Sequence, residues 1–239
     1  MERIEKNIWD FQVFPKWDYS EKEYFEKHQK MFEFISRDII TRKDGTNISI
    51  LDIGCATGIG FKDSNLKKTS KIYGVDFVKD YIELFNARGM EGSVADIMKD
   101  HLPYVDNFFD VVICGSIIEH TLKPKDLISE VGRVIKKDGL LIITVPNATS
   151  GRARFNLLMG RNNFRPLIDD LMHYDHLKRC GVLYSVRELE LILRESFKIE
   201  KVRFLQENRN GALLEKLLKF AVLLFPQMSD NIYLIATKR

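Results

Sequence analysis

The sequence predicts an α/β domain built on a doubly wound, mostly parallel sheet with helices on both faces. Strand-like and helix-like segments alternate along most of the chain with short links, which favours right-handed crossovers. Several strand segments are near-continuous apolar runs, as expected for parallel strands that are buried on both faces. The chain has 239 residues, of which 45 % are hydrophobic and 30 % charged, enough for one sizeable domain.

The individual elements follow from periodicity and from turn residues. Pro124 suits the first turn of a helix, Gly89 suits a helix C-cap, and Ser185 suits an N-cap. The apolar patterns predict seven strands, at 48–53, 71–76, 90–97, 108–116, 140–147, 198–206 and 231–239. They predict helices at 21–40, 79–89, 124–137, 186–197 and 212–225.

No internal repeat or linker divides the chain, so residues 1–239 are expected to form a single domain. Residues 1–44 would supply an N-terminal helical cover, and residues 45–147 would form the core of the ligand site. Residues 148–184 are polar, basic and irregular, and too long for a mere connection, which indicates a lid or acceptor insertion. Residues 185–239 would complete the sheet with a helix–strand part.

Composition and charge exclude several classes of protein. The 37 basic and 34 acidic residues are interspersed and give a net charge of +3, so the charge pattern does not indicate nucleic-acid binding. The three cysteines have no paired spacing, so neither a disulfide framework nor a metal site is expected. The N-terminus resembles no signal peptide and no stretch reaches about 20 apolar residues, so a cytoplasmic protein is expected.

A glycine-rich stretch, LDIGCATGIG at 51–60, follows the first predicted strand. Such a loop exposes backbone N–H groups to a ligand, and glycine lets the ligand approach closely. The dinucleotide-binding fingerprint would require glycine at positions 54, 56 and 59. Those positions hold Gly54, Ala56 and Ile59, so the spacing excludes a dinucleotide site of that type.

The same stretch fits a different pattern, in which an aspartate is followed by three alternating small residues. Asp52, Gly54, Ala56 and Gly58 occupy these positions. LDIGCATG resembles the first motif of the class I, Rossmann-like S-adenosylmethionine (SAM)-dependent methyltransferases, whose common form is LDIGCGTG. Alanine adds one methyl group at the middle small position, a variant that this family tolerates.

Three further motifs of the same family follow in order. GVD ends the second predicted strand with Asp76, SVADI ends the third with Asp96, and FDVVICGSIIEH resembles the fourth-strand motif. Either aspartate alone is equally well explained as a solvated strand end, so the joint order carries the resemblance. The resemblance covers residues 45–147 tightly and 173–239 loosely, and lies with members that modify small molecules or sugars.

The resemblance implies SAM as cofactor and S-adenosylhomocysteine (SAH) as product. Asp76 would accept hydrogen bonds from the ribose hydroxyls, Asp96 would bind the adenine amino group, and Ile97 would pack on the ring. Gly115 and Ser116 would face the methionine part of the cofactor. The complete set of expected cofactor-binding residues is Asp52, Gly54, Cys55, Ala56, Gly58, Asp76, Phe77, Asp96, Ile97, Gly115 and Ser116.

The expected reaction is an in-line methyl transfer to a small-molecule or sugar acceptor, with oxygen as the acceptor atom. A base is needed only if the acceptor loses a proton as it attacks. His120 and His176 are the candidate bases, although the Glu119–His120 pair is more often structural in similar proteins and a dedicated base is not required. His173 and His176 lack further ligands at suitable spacing, so no metal is expected.

Two alternatives remain open at this level. The first is a non-catalytic accessory protein that keeps the methyltransferase fold and supports a partner enzyme, as in methionine biosynthesis. The second concerns the apolar segment 212–225, which is too short to span a bilayer. It would pack on a sheet edge, lie at a membrane surface or form a dimer contact.

Overall fold

The computed structural model describes residues 21–43, 47–61, 64–121, 123–161, 183–206 and 220–239, with side chains from residue 29 onward. The helices are α1 (Glu21–Lys43), α2 (Asn65–Thr69), α3 (Lys79–Ala87), α4 (Pro124–Val134), α5 (Gly151–Leu158) and α6 (Val186–Leu193). The strands are β1 (Ser49–Ile53), β2 (Lys71–Asp76), β3 (Glu91–Val94), β4 (Phe109–Gly115), β5 (Ile135–Pro146), β6 (Phe197–Leu205) and β7 (Asn231–Lys238).

The seven strands form one sheet in the order β3-β2-β1-β4-β5-β7-β6. The first five strands pair in parallel, and β7 runs antiparallel to both of its neighbours. The chain moves outward from β1 to β3 and then returns to add β4 on the other side of β1. This reversal opens a crevice at the carboxyl ends of β1 and β4, where ligands of doubly wound sheets bind.

Apolar helix faces cover both sides of the sheet and confirm the predicted fold class. On one side, α1, α2 and α3 bury aliphatic and aromatic side chains that include Ile35, Ile39, Leu66, Ile82 and Phe85. On the other side, α4 and α6 bury Leu127, Ile128, Val131, Val134, Leu189 and Leu193. Burial of such side chains is the main stabilising contribution to a domain of this kind.

Several predicted elements differ from the structure. The strand predicted at 90–97 ends at Val94, and the helix predicted at 186–197 ends at Leu193 because Phe197 begins β6. The apolar patterns do not predict α2.

Two further differences have a clear local cause. The helix predicted to reach residue 137 ends at Val134, because Ile135 is fully buried as the first residue of β5 and pairs with Phe109. The segment after residue 147, predicted to be irregular, contains α5, whose first turn is capped by the Ser150 hydroxyl. In both places a tertiary or capping contact decides the local structure.

The loop between β3 and β4 is held by one arginine from α4. The Arg133 guanidinium donates to the backbone oxygens of Leu102 and Tyr104 at 2.9 and 2.7 Å, and to the Asp106 carboxylate at 2.9 Å. It also donates to Glu130 at 2.9 Å, and Glu130 accepts from the Leu102 amide at 3.0 Å. The hydrogen bond from Arg133 lowers the pKa of Glu130 to about 2.

A buried carboxylate anchors α1 to the far end of the sheet. Asp38 accepts from the Arg203 guanidinium at 2.7 Å and from the Tyr233 hydroxyl at 3.0 Å. The same guanidinium lies 5.1 Å from the centre of the Phe34 ring. These contacts join the first described helix to β6 and β7 by a charge-assisted network. Among the described residues, every helix is too short or too polar to cross a membrane.

We expect Arg133→Ala to lower the free energy of unfolding by about 2–4 kcal/mol, because Glu130 and two loop carbonyls lose their donors together. Urea unfolding at neutral pH measures the change. Lys123→Ala is the matched control, since the Lys123–Asp126 pair spans 3.8 Å with both side chains more than 70 % exposed, and should cost less than about 1 kcal/mol. Equal losses in the two variants would show that Arg133 does not hold the loop.

Candidate active site

The loop after β1 has an alternating left-handed backbone. Gly54, Ala56 and Gly58 have φ values of 71°, 45° and 71°. A Cβ at Gly58 would lie 2.7 Å from the Phe85 ring, and one at Gly54 would lie 2.8 Å from Ile117. The left-handed backbone therefore favours glycine at 54 and 58, and the Phe85 ring also excludes a Cβ at 58, independently of any ligand.

Ala56 occupies the middle left-handed position, where an L-residue is strained by about 1–2 kcal/mol. Its backbone N–H donates to the Asp76 carboxylate at 3.0 Å. The loop is tied to β2 a second time, because the amides of Gly54 and Cys55 both donate to the Val75 carbonyl, at 2.8 and 3.1 Å. These bonds hold the alanine in its strained conformation.

Asp76 is the last residue of β2 and is 8 % exposed. One carboxylate oxygen accepts from the Ala56 amide and the other from the Val78 amide, each at 3.0 Å. A carboxylate has about four acceptor positions, and the Phe77 amide is a third backbone donor to it, so capacity for one further donor remains. Burial raises the pKa of Asp76, against the lowering effect of its backbone donors.

Asp52 lies in β1 beside this carboxylate. Burial, with a smaller contribution from Asp76, raises the pKa of Asp52 to about 8. Burial also raises the pKa of the Cys55 and Cys114 thiols, so these two thiols stay protonated at neutral pH. This part of the crevice disfavours negative charge, and a positively charged ligand would relieve that cost.

Asp96 follows β3 and is connected to β2 through the preceding residue, since the Ala95 amide donates to the Asp76 carbonyl at 3.0 Å. The Asp96 carboxylate accepts from the Met98 amide at 3.0 Å and lies 3.1 Å from the Lys99 ammonium group. Ile97 is half-buried and packs against the core. The structure therefore places Asp76 and Asp96 at adjacent strand ends.

Gly115 and Ser116 end β4 beside the glycine loop. The pairing of Ile53 with Cys114 aligns the ends of β1 and β4. Ser116 has a φ of 53°, and its amide donates to the Thr144 carbonyl at 2.9 Å. Phe77, after β2, is half-buried. All eleven residues expected to bind the cofactor thus lie in or just after the ends of β1 to β4.

The turn Ile118–His120 follows β4 and contains a buried carboxylate. Glu119 is 1 % exposed, and its Oε2 has no hydrogen-bond partner among the described residues. Burial raises the pKa of Glu119 to about 8. The turn does not need this carboxylate, because the Thr121 hydroxyl and amide both donate to the Ile118 carbonyl.

A second buried polar group accompanies Glu119. The Tyr184 hydroxyl is buried and has no partner among the described residues, and burial, followed by the charge of Glu119, raises its pKa to about 12. That these two oxygens lack partners cannot be predicted from the sequence, since an unpaired oxygen is recognised only from its surroundings. His120 is half-buried, while His176 and most of 148–184 lie outside the described residues.

Comparison with known proteins agrees with this geometry. Residues 51–143 match the family described as methyltransferase domain. Over these residues the chain is similar to a methyltransferase domain. Among the described residues, no group of three or more potential ligands is arranged to hold a metal ion in this domain.

Curated relatives resemble parts of this chain at low identity. An uncharacterized protein of Methanocaldococcus jannaschii is 32 % identical over 50 % of this chain and 50 % of its own length. A ubiquinone biosynthesis O-methyltransferase of Glaesserella parasuis is 28 % identical over 46 % of this chain and 50 % of its own length. The chain therefore spans about half the length of these curated relatives.

Among solved structures, magnesium protoporphyrin IX methyltransferase of Synechocystis PCC 6803, with bound SAH, has a TM-score of 0.61 at 13 % identity. The match covers 100 % of this chain and 94 % of that one. At this identity the likeness supports the fold, and the activity of that enzyme is not carried over.

We expect Ala56→Gly to raise the free energy of unfolding by about 1 kcal/mol, because glycine adopts the left-handed conformation without strain. Ala87→Gly, at the end of α3, is the control and should cost about 0.5–1 kcal/mol, as glycine does in a helix. Urea unfolding compares both with the wild type. A loss of stability in Ala56→Gly would contradict the strained conformation at this position.

The raised pKa of Glu119 predicts a stability change with pH. Its folded pKa of about 8 lies above the ordinary glutamate pKa of 4.5, so the stability it confers is present at low pH and is lost as pH rises toward 8. Glu119→Gln should therefore match the wild type in melting temperature near pH 5 and exceed it by several degrees near pH 9.

The control is Glu200→Gln, which removes a carboxylate whose folded pKa is lowered, chiefly by a hydrogen bond from Lys198. That carboxylate is ionised in the folded and the unfolded chain above about pH 6, so the difference between this variant and the wild type should stay constant between about pH 6 and pH 9. A constant difference for Glu119→Gln as well would show that Glu119 is not a buried carboxyl with a raised pKa.

Proposed function

We propose that this protein binds SAM at the carboxyl edge of the sheet and transfers the methyl group to a small-molecule acceptor, at oxygen. One observation carries the proposal. Asp76 fixes the glycine loop through the Ala56 amide and yet keeps acceptor capacity for a further donor. A carboxylate held in this way at the end of β2 suits a ribose hydroxyl.

The remaining residues fit the other parts of the cofactor. Asp96 and Ile97 offer an acceptor and an apolar surface for adenine, beside Asp76. The Ser116 hydroxyl, just after the end of β4, offers a donor for the methionine carboxylate, because the Ser116 amide and the loop amides already donate within the protein. SAM supplies an activated methyl group on a positively charged sulfonium. Asp52 gives the crevice a nearby group whose ionised form a cation would stabilise.

Oxygen is supported as the acceptor atom by the relatives named ubiquinone biosynthesis O-methyltransferases. A hydroxyl must lose its proton as it attacks, so a base near β4 would contribute to the transfer. Glu119, with its unpaired oxygen, joins His120 and His176 as a candidate for this role. A small molecule or a sugar is the expected acceptor.

Isothermal titration calorimetry with SAM and SAH tests the cofactor assignment. We expect Asp76→Asn to weaken the binding of both ligands by about 10-fold or more, because hydrogen bonds to a charged group contribute roughly 1.5–3 kcal/mol each. Asp80→Asn is the matched control. It changes an exposed carboxylate in the first turn of α3, four residues away, and should bind like the wild type.

Thermal unfolding of each variant shows whether the loop has kept its structure. Unchanged binding by a folded Asp76→Asn variant would contradict the ribose assignment. Absence of SAM and SAH binding in the wild type would overturn the methyltransferase proposal in favour of an accessory role. The variant Glu119→Gln should retain SAM binding while it loses transfer to a hydroxyl acceptor.

A further inference from the structure

Large exposed apolar side chains are concentrated on two segments of the chain. Of thirteen such side chains in the described residues, seven lie in 157–159 and 220–225. They are between 51 % and 83 % exposed. We call this set the apolar surface: Leu157, Leu158, Met159, Phe220, Leu223, Leu224 and Phe225. A concentration of this kind marks an interaction site rather than ordinary surface variation.

One side chain joins the bases of the two segments. The Asn147 amide nitrogen donates to the carbonyls of Gln227 and Ser229 at 2.9 and 2.8 Å. Its backbone N–H donates to the Asp230 carbonyl at 2.8 Å, and its side-chain oxygen accepts from the Thr149 amide at 2.9 Å. Both segments therefore leave the sheet from the same point, at the end of β5 and the start of β7.

The charge on these segments has a single sign. Residues 148–161 and 220–229 contain three arginines and no aspartate or glutamate. Arg154 and Arg161, on either side of the apolar residues of α5, are exposed. An apolar surface bordered by arginines is complementary to a layer that is apolar within and negatively charged outside.

We propose that the apolar surface docks onto an anionic lipid bilayer, with its leucine and phenylalanine side chains in the interfacial region and Arg154 and Arg161 at the lipid phosphates. Long basic side chains reach the headgroups while their neighbours enter the acyl boundary. A symmetric contact with a second copy is disfavoured, because it would bring two sets of arginines together without acidic partners on these segments.

Docking in this orientation presents the carboxyl edge of the sheet to the membrane. That edge also carries the glycine loop, Asp76 and Glu119. An acceptor that resides at the bilayer surface would thus reach the crevice without crossing bulk water. The docking itself depends only on apolar area and charge. Its test is therefore independent of the proposed methyl transfer.

Vesicle flotation tests the proposal with two lipid compositions, phosphatidylcholine alone and an equal mixture of phosphatidylcholine and phosphatidylglycerol. We expect the wild type to float with the mixed vesicles at low salt and several-fold less with neutral vesicles. The double variant Leu158→Glu/Leu223→Glu should bind vesicles about 10-fold less, or less still. Two apolar side chains that would enter the bilayer are replaced by negative charges that the anionic lipids repel.

The control is Leu84→Glu/Val105→Glu, which adds the same charges at two exposed apolar positions elsewhere on the domain, and should float like the wild type. Arg161→Gln should weaken binding to mixed vesicles several-fold and leave neutral vesicles unaffected, since one basic residue near the surface contributes about 1 kcal/mol. All substituted positions are exposed, and thermal unfolding checks that each variant is folded.

Absence of wild-type binding to mixed vesicles would overturn the proposal, as would equal binding by the Leu158→Glu/Leu223→Glu variant. Light scattering coupled to size exclusion provides the competing outcome. A wild-type dimer that this variant dissociates, without vesicle binding, would assign the apolar surface to a second copy of the chain instead.

Discussion

The hydrogen bond from the Ala56 amide to the Asp76 carboxylate is the contact on which the crevice depends. It joins the loop after β1 to the end of β2, and it fixes an alanine in a conformation that glycine adopts more easily. The left-handed backbone favours glycine on either side of Ala56, and the Phe85 ring leaves no room for a Cβ at Gly58. The carboxyl edge of the sheet therefore has its shape before a ligand binds, which reduces the conformational entropy lost on binding.

The same edge carries an electrostatic cost. Burial raises the pKa of Asp52, Asp76 and Glu119, so each carboxylate is less stable when charged than it would be in water. Groups of this kind oppose stability as pH rises and favour a ligand that brings positive charge or hydrogen-bond donors. The same buried carboxylates thus lower the stability of the free protein and favour the binding of a ligand, a trade-off that is common at functional sites.

Much of this arrangement is predictable from the sequence, because strand ends and glycine spacing are local features. Asp52, Asp76 and Asp96 lie at or near the carboxyl ends of three successive strands, which suffices to place them at one edge of a parallel sheet. Features that depend on distant partners are different. The end of α4 is decided by the pairing of Ile135 with Phe109, and the unpaired oxygen of Glu119 is defined by what surrounds it.

Sheet topology also explains why the apolar surface and the crevice share one edge. β7 is antiparallel to β5, and Asn231 at its start pairs with Pro146 at the end of β5. The segment that leads into β7 must therefore lie at the carboxyl edge, beside the segment that leaves β5. A parallel last strand would have placed 220–229 at the opposite edge. The single reversed strand is thus what brings an apolar, basic surface next to the ligand site.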